Sequence, residues 1–169
     1  FKDSLFRRIF NGNEQLLSLY NAVNETSYED SANLRINTLD NAVYLTMKND
    51  ISFIFGFHLN LYEHQSTPCG NMPLRHLFYF VKLLGNEVGE EAIYGTKTVP
   101  LPTPVFVVFY NGTTKRPERW IEKLSDAFEV KTASPKAELE VLMLNVNYGK
   151  NKEIMEQCRL LKEYAIYVD

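Results

Sequence analysis

Two strand-like segments separated only by Gly56 and Phe57 constrain the fold of this chain more than any other feature. Apolar and aromatic residues dominate the segment from 50 to 55, and they alternate with polar residues through most of the segment from 58 to 65. Such runs, bounded by turn residues, are typical of β-strands. Because glycine suits the first central position of a two-residue type II′ turn, the sequence predicts an antiparallel β-hairpin.

The turn also fixes which residues face each other across the hairpin. If Phe55 lies opposite His58, the same register brings Asp50 opposite Glu63. This is a non-hydrogen-bonded pair, in which the Cα atoms lie about 4.5 Å apart and both side chains share one face. Gln65 lies two residues beyond Glu63 and therefore joins that face. We predict that these three polar side chains meet at the open end of an otherwise apolar surface.

Two opposed carboxylates destabilise a fold unless something compensates them. At about 5 Å and an effective dielectric constant of about 20, their repulsion is of order 3 kcal/mol. A divalent cation reverses the sign, and Mg²⁺ prefers oxygen ligands that leave positions for water and phosphate. In the alternative interpretation, Asp50 caps a strand at a solvated edge, and Glu63 and Gln65 are ordinary surface residues. The residues alone leave both interpretations open.

The remaining segments predict a mixed α/β sheet with helices on both faces. In chain order we expect two short helices before residue 21, a loop over 21–40 with Leu34 and Ile36 as isolated anchors, a strand over 41–47, a largely buried helix from Pro73 to Gly85, buried strands over 104–110 and 139–146, and helices over 117–128 and 150–164. The three strands up to residue 65 form an antiparallel meander. With 169 residues, the chain is expected to form one domain over 1–169.

Charge and motifs exclude several classes of function. A formal charge of −3 gives no overall basic surface, so contact with nucleic acid requires a local patch or a further segment. The sequence contains no HExxH, GxSxG or GxGxxG motif, which leaves zincins, hydrolase triads and dinucleotide sites without support. Without a run of about 18 apolar residues or a signal peptide, we expect a cytoplasmic protein that does not engage membranes. Because the chain begins with Phe1 rather than Met, we also expect residues before it.

Four segments that follow one another in the chain are distinctive in combination: 49–53 (NDISF), 61–68 (LYEHQSTP), 71–75 (NMPLR) and 104–112 (PVFVVFYNG). Together they resemble the Rpn family of recombination-promoting nucleases and transposases, and the resemblance extends from Lys2 to Ala165. This ordered combination is far more specific than Asp-x12-Glu-x-Gln alone. The family belongs to the PD-(D/E)XK superfamily. The resemblance therefore implies a restriction-endonuclease-like fold, in which helices flank a mixed sheet of antiparallel and parallel strands.

The resemblance also implies a role for each polar residue of the hairpin. Asp50 stands at the motif aspartate, Glu63 at the second acid, and Gln65 where the superfamily usually has lysine. The backbone carbonyl of His64 would be a further metal ligand, with Mg²⁺ or Mn²⁺ as cofactor and DNA as the substrate of phosphodiester hydrolysis. A neutral amide at this position orients water or a phosphate oxygen but adds no positive charge. Family members often continue beyond the position of Asp169, which implies a C-terminal region for DNA binding or assembly.

Two predicted helices add candidate residues. Arg75, Tyr79 and Lys82 are spaced i, i+4 and i+7, and they form a polar stripe on the helix that follows the strand of Gln65. The stripe either faces the cleft and contacts DNA phosphates, with Arg75 as the best partner, or it is the solvent face of the helix. Glu14, in the first turn of the second helix, either approaches the metal or is an ordinary residue that suits the helix dipole.

Two functions from different classes remain compatible with the sequence. The first is a Mg²⁺-dependent DNA endonuclease that supports recombination or mobile-element processing. The second is a nuclease-fold module for interaction or DNA binding that has little turnover. The intact set of Asp50, Glu63 and Gln65 favours the enzyme, whereas the negative net charge and the absence of the usual lysine favour the module. Assembly into a homodimer is open in both cases.

Overall fold

A mixed six-stranded sheet forms the centre of the part of the chain that the computed structural model describes, residues 1–39 and 48–169. The strands are β1 (Leu34–Ile36), β2 (Ile51–Phe55), β3 (His58–Gln65), β4 (Thr103–Tyr110), β5 (Arg119–Lys123) and β6 (Glu140–Asn145), in the spatial order β1-β2-β3-β4-β6-β5. Strands β1 to β3 are antiparallel, whereas β3, β4 and β6 are parallel. The predicted fold class is confirmed, and the strand predicted over 41–47 lies outside the described residues.

Helices cover both faces of this sheet. They are α1 (Lys2–Ile9), α2 (Asn13–Asn24), α3 (Met72–Glu87), α4 (Glu90–Ile93), α5 (Lys152–Gln157) and α6 (Arg159–Val168), with a 3₁₀ turn at Leu124–Ala127. Side chains of α1, α2, α5 and α6 pack on one face in a core that includes Phe6, Phe109 and Tyr164. Side chains of α3 pack on the other face with Leu61 and Val108. Because successive strand residues point to opposite faces, β3 contributes to both cores.

The hairpin has the register that its turn predicts. Phe55 pairs with His58, and the ladder continues to Ile51 opposite Tyr62. Gly56 has φ +57°, whereas Phe57 keeps a negative φ, which agrees with a type II′ turn. Local turn chemistry therefore decides which side chains of β3 share a face.

The carboxyl end of strand β4 lies beside the polar end of the hairpin. It runs parallel to β3 from the His58–Thr103 pair to the Gln65–Tyr110 pair, so both strands end at the same edge. The Asn111 N–H donates to the Gln65 carbonyl at 2.8 Å and extends this pairing. A Cβ atom on Gly112 would lie 2.4 Å from the Ser66 carbonyl oxygen, so a larger residue does not fit there.

Two predictions for connecting segments are wrong. Residues 21–40 are not one loop, because α2 continues to Asn24 and β1 pairs Leu34 with Phe55. Residues 117–128 do not form a helix, because β5 pairs antiparallel with β6 and only one 3₁₀ turn follows. Both strands are at the edges of the sheet. Edge strands bury few side chains, so their apolar pattern is too weak to be recognised in the sequence.

The predicted helix boundaries also need correction. Helix α3 continues through Gly85 to Glu87, and it is not largely buried, since Leu74, Phe78 and Val81 are exposed. The stretch predicted over 150–164 is helical, but it is divided at Cys158 into α5 and α6 and extends to Val168. In the described ranges, no helix combines the length and apolar character needed to cross a membrane.

Candidate active site

Two hydrogen bonds from backbone to carboxylate link Asp50 to the adjacent residues Glu63 and His64, just beyond the last paired residues of the hairpin. The Asp50 N–H donates to Glu63 Oε1 at 2.8 Å, and the N–H of His64 donates to Asp50 Oδ2 at 2.8 Å. The backbone of Asp50 has left the ladder, and each carboxylate accepts from the backbone of the opposite strand. The two acidic side chains are therefore neighbours, as the register predicts.

Burial decides against the interpretation of these residues as ordinary surface groups. Glu63 is only 1% exposed and Gln65 is 7% exposed, whereas the side chain of Asp50 retains 17% exposure. The buried Nε2 of Gln65 has no hydrogen-bond partner among residues 1–39 and 48–169. A buried amide without a partner is unusual in a folded protein and calls for an explanation, such as a ligand or water that completes it.

The protonation of Glu63 depends on this arrangement. Burial raises the pKa of Glu63 to about 8, and the nearby Asp50 carboxylate adds to the rise. The N–H of Asp50 and the guanidinium group of Arg75 act in the opposite direction without cancelling it. A cation bound between the two carboxylates would lower this pKa, because a nearby opposite charge favours the ionised form.

Asp50 experiences a similar balance at its more open position. Burial raises the pKa of Asp50, the hydrogen bond from His64 lowers it, and the charge of Asp3 raises it again. Arg7 and Arg75 oppose the rise from opposite sides of the pair. Both carboxylates therefore carry an electrostatic penalty that the surrounding residues reduce only in part.

Arg75 approaches the acid pair from the first turn of α3. Its Nη2 lies 3.0 Å from Glu63 Oε2, and its Nε and Nη2 donate to the Tyr79 hydroxyl at 3.3 and 3.1 Å. Tyr79 is buried, and its hydroxyl holds the guanidinium group of Arg75 in place. Lys82 lies about one further turn along α3 and is partly exposed. Contact of these three residues with DNA stays a prediction.

Arg7 is a site residue that the sequence analysis missed. Its Nε lies 3.7 Å from Asp50 Oδ1, and its side chain is 44% exposed. With Arg8, Asn11 and Thr38 it lines an open pocket of about 390 Å³ that has Asp50 in its wall. Arg7 follows Asp3 by four residues and therefore shares its helix face, but only the docking of α1 on the sheet brings it to Asp50.

The acidic residue that α1 and α2 bring near the site is Asp3, not Glu14. Glu14 lines a different pocket, together with Ser18, Asn21 and the segment 26–31. Asp3 influences the pKa of both Asp50 and Glu63. The structure therefore favours the interpretation of Glu14 as an ordinary residue of the first helical turn, because its face of α2 lines another pocket.

His64 points away from the acid pair into the opposite core. Its Nδ1 lies 2.6 Å from Asp3 Oδ1, and its Nε2 lies 2.6 Å from the Tyr164 hydroxyl. Burial lowers the pKa of His64, which favours the neutral ring. A neutral ring satisfies both contacts if Nδ1–H donates to Asp3 and the hydroxyl of Tyr164 donates to Nε2. The backbone that bonds Asp50 is therefore fixed from behind by α1 and α6.

The oxygen atoms at this site suit a hard divalent cation. Within the described ranges, no three His, Cys, Asp or Glu side chains are grouped to hold one metal ion. Asp50 and Glu63 would supply two carboxylates, and the carbonyl of His64 lies on the same strand edge as its N–H, which faces Asp50. Mg²⁺ accepts such small sets because it retains several water ligands.

No family model matches the chain, and a search of curated proteins gave no significant match. The resemblance to the Rpn family therefore stays a prediction that rests on four sequence segments.

Proposed function

We propose that the protein is a Mg²⁺- or Mn²⁺-dependent DNA endonuclease of the Rpn family, in the PD-(D/E)XK superfamily. In this proposal it hydrolyses phosphodiester bonds in recombination or mobile-element processing. The observation that carries it is the pair of acids at the end of a hairpin, in which the buried Glu63 accepts from the Asp50 N–H and the partly buried Asp50 accepts from the His64 N–H. A fold without a ligand here would gain stability by replacing one of the acids with a neutral residue.

The chain's own groups divide the work of hydrolysis. Asp50, Glu63 and the carbonyl of His64 would hold the divalent cation, which would supply an activated water and positive charge beside the phosphate. The buried amide of Gln65 shares the face of Glu63, and its Nε2 has no hydrogen-bond partner among the described residues. It can therefore donate to a phosphate oxygen or orient the attacking water. Arg75, half-exposed beside Glu63, adds the positive charge that Gln65 lacks.

Cleavage of supercoiled plasmid DNA, with and without Mg²⁺, tests this proposal. The native chain is compared with Asp50→Asn, which keeps the shape of the side chain, and with Glu163→Gln as a matched control. Glu163 pairs with Arg159 on the exposed side of α6, remote from the acid pair in sequence. We expect Mg²⁺-dependent cleavage that Asp50→Asn abolishes and Glu163→Gln preserves. Cleavage by Asp50→Asn at the native rate would refute the assignment, and a parallel RNA substrate shows which nucleic acid is preferred.

The interaction or DNA-binding module is the second candidate. It is favoured by the two arginines, which already contact Glu63 and Asp50, and by the neutral Gln65. Soaking crystals with Mn²⁺ separates the two candidates, because a module has no need of metal between the carboxylates. Strong Mn²⁺ density there supports the nuclease, and an unchanged pair supports the module.

Cellular location and assembly belong to the same proposal. Cys69 and Cys158 are both free thiols, which suits a reducing compartment and supports a cytoplasmic location beside a DNA substrate. A homodimer stays a prediction, which sedimentation of the purified chain at two concentrations would test.

A further inference from the structure

Two arginines reach the acid pair from different helices. Arg75 of α3 contacts Glu63 at 3.0 Å, and Arg7 of α1 lies 3.7 Å from Asp50. Both arginine side chains are 44% exposed, whereas the side chains of Glu63 and Asp50 are 2% and 17% exposed. Each guanidinium group thus extends from solvent onto a more buried carboxylate. The two arginines lie on the route by which a ligand from solvent would reach these acids.

Formal charges show what these arginines do in the absence of a metal. Within residues 1–39 and 48–169, the charges that act on the pair are those of Asp50, Glu63 and Asp3, against Arg7 and Arg75. When all five groups are ionised, as they are above the pKa of Glu63, three carboxylates and two guanidinium groups leave one net negative charge. A divalent cation would change this to one net positive charge, which a single phosphodiester group neutralises. Once a metal is bound, the carboxylates no longer need the arginines to balance their charge. The positive charge of the arginines can then balance the negative charge of a nucleic-acid strand.

Arg75 also has contacts that do not involve a carboxylate. The guanidinium group of Arg75 is anchored by the Tyr79 hydroxyl at 3.1 Å and lies 3.4 Å from the sulfur of Met72. Arg7 lies beside Arg8 in the wall of the open pocket of about 390 Å³. A guanidinium group offers a planar pair of donors that fits phosphate oxygens. Release from Glu63 would thus leave the guanidinium group of Arg75 bound to Tyr79, and release from Asp50 would leave Arg7 beside the open pocket.

We propose that Arg7 and Arg75 are exchange partners, which hold Asp50 and Glu63 before a divalent cation binds and contact the phosphates of a nucleic-acid strand afterwards. This inference rests on the proposed function. It places the strand across the acid pair, from α1 on one side to α3 on the other. It also gives the chain a local basic contact despite its net charge of −3.

The exchange makes opposite predictions for two ligands. Because each arginine competes with the cation for a carboxylate, its removal should strengthen Mg²⁺ binding. Because each arginine contacts a phosphate afterwards, the same removal should weaken binding of DNA. An arginine that only supports the local structure would weaken both. The effect should be larger at Arg75 than at Arg7, since the contact of Arg75 is shorter.

The test measures both ligands on the same variants. Affinity for Mg²⁺ alone is measured by calorimetric titration at a pH above the Glu63 pKa of about 8, so that proton release does not obscure the result. Affinity for a short labelled DNA duplex is measured by fluorescence anisotropy with Ca²⁺ in place of Mg²⁺, over a range of salt concentrations. The variants are Arg75→Gln and Arg7→Gln. The matched control is Arg159→Gln, which removes an exposed arginine paired with Glu163.

We expect Arg75→Gln to bind Mg²⁺ about threefold more tightly, because a competing positive charge is gone. We expect its DNA affinity to fall about tenfold, with a salt dependence reduced by about one phosphate contact. Arg75→Lys keeps the charge without the planar donors, so its Mg²⁺ affinity should stay native while its DNA binding is intermediate. Arg159→Gln should match the native chain in both assays.

Two results would overturn the exchange. Weaker Mg²⁺ binding by Arg75→Gln and Arg7→Gln would assign the arginines a structural role, and unchanged DNA affinity would remove them from the strand path. If the native chain binds Mg²⁺ and cleaves DNA but these variants behave like it, only the exchange fails. If the native chain neither binds Mg²⁺ nor cleaves DNA, the proposed function fails and the exchange fails with it.

Discussion

The two faces of the sheet at the end of β3 differ in the surroundings of their buried polar side chains. On the side of α1 and α6, His64 finds partners for both ring nitrogens, Asp3 and Tyr164. On the side of α3, both carboxylate oxygens of Glu63 accept hydrogen bonds, but the like charge of Asp50 lies beside them. Gln65, on this side, has a buried amide nitrogen without a partner among the described residues. His64 and Gln65 are adjacent on one strand, yet both ring nitrogens of His64 have partners and the amide nitrogen of Gln65 has none among the described residues.

This contrast indicates that neighbouring residues of β3 have different roles, one in stability and the other in function. A buried polar network with all partners present stabilises the arrangement that it joins, here two helices and a strand. A buried group without partners destabilises the fold, and such groups concentrate where a ligand completes them. We infer that the side of His64 fixes the backbone and that the side of Glu63 is kept for a ligand. Four predictions test this division.

The largest effect is expected on the side of His64. His64→Ala leaves a cavity in the core and removes the partner of the buried Tyr164 hydroxyl, so the free energy of unfolding should fall by about 4 kcal/mol. Urea unfolding followed by circular dichroism measures this change. Tyr164→Phe removes only the hydroxyl and should lower the same quantity by about 1 kcal/mol. A His64→Ala midpoint equal to the native one would mean that the network does not stabilise the fold.

The two neighbours should also respond to pH in opposite directions. Glu63 has a folded pKa of about 8 against an ordinary value of 4.5, so the folded state holds the extra proton, and stability falls as pH rises between these values. We expect the free energy of unfolding to fall over this range, and Glu63→Gln should remove this fall because the amide does not titrate. Urea unfolding at a series of pH values measures it.

The sign for His64 is the reverse. Because burial lowers its pKa below the ordinary value of 6.5, the unfolded state binds the proton more readily, and stability falls as pH drops below 6.5. The Glu63→Gln chain should retain this acid limb while losing the other. If Glu63→Gln shows the native pH profile throughout, Glu63 is not the group that titrates with a raised pKa.

A divalent cation should stabilise the fold, and this gain should depend on the residues on the side of Glu63 and not on those on the side of His64. At a hundredfold excess over the dissociation constant, Mg²⁺ binding adds about 2.7 kcal/mol to the free energy of unfolding, seen as a higher melting temperature. Asp50→Asn should remove most of this gain while raising stability without metal, because one of two opposed charges is gone. His64→Gln should keep the gain, since its side chain lies on the other face. A native melting temperature that does not respond to Mg²⁺ or Mn²⁺ would count against the metal site.

The smallest effect on stability is expected at Gln65. Since its amide nitrogen already has no partner among the described residues, Gln65→Ala should change stability mainly through lost packing, by about 1 kcal/mol. Cleavage at saturating Mg²⁺ should nevertheless slow about tenfold through loss of a donor to the phosphate. Gln65→Lys should keep or increase activity, because lysine restores a charged donor. Native cleavage rates for Gln65→Ala would leave this residue with no part in the reaction.

The sequence was most informative where structure is local. Gly56 and Phe57 specify the hairpin turn, the turn sets the register, and the register brings Asp50 beside Glu63. The continuous apolar run of β4 identifies a buried strand for the same reason, because burial leaves a pattern in neighbouring residues. The edge strands β1 and β5 leave a weaker pattern, since half or more of their side chains are exposed or only partly buried.

What the sequence determined by itself was therefore the hairpin, its acid pair and the mixed α/β class. Only the tertiary structure decided what surrounds that pair. Asp3 and Tyr164 are 61 and 100 residues from His64 along the chain, and they meet it only because α1 and α6 dock on the same face of the sheet. Arg7 reaches Asp50 by the same docking. Spacing rules extend over one turn or one hairpin, whereas such contacts are selected by the packing of whole elements.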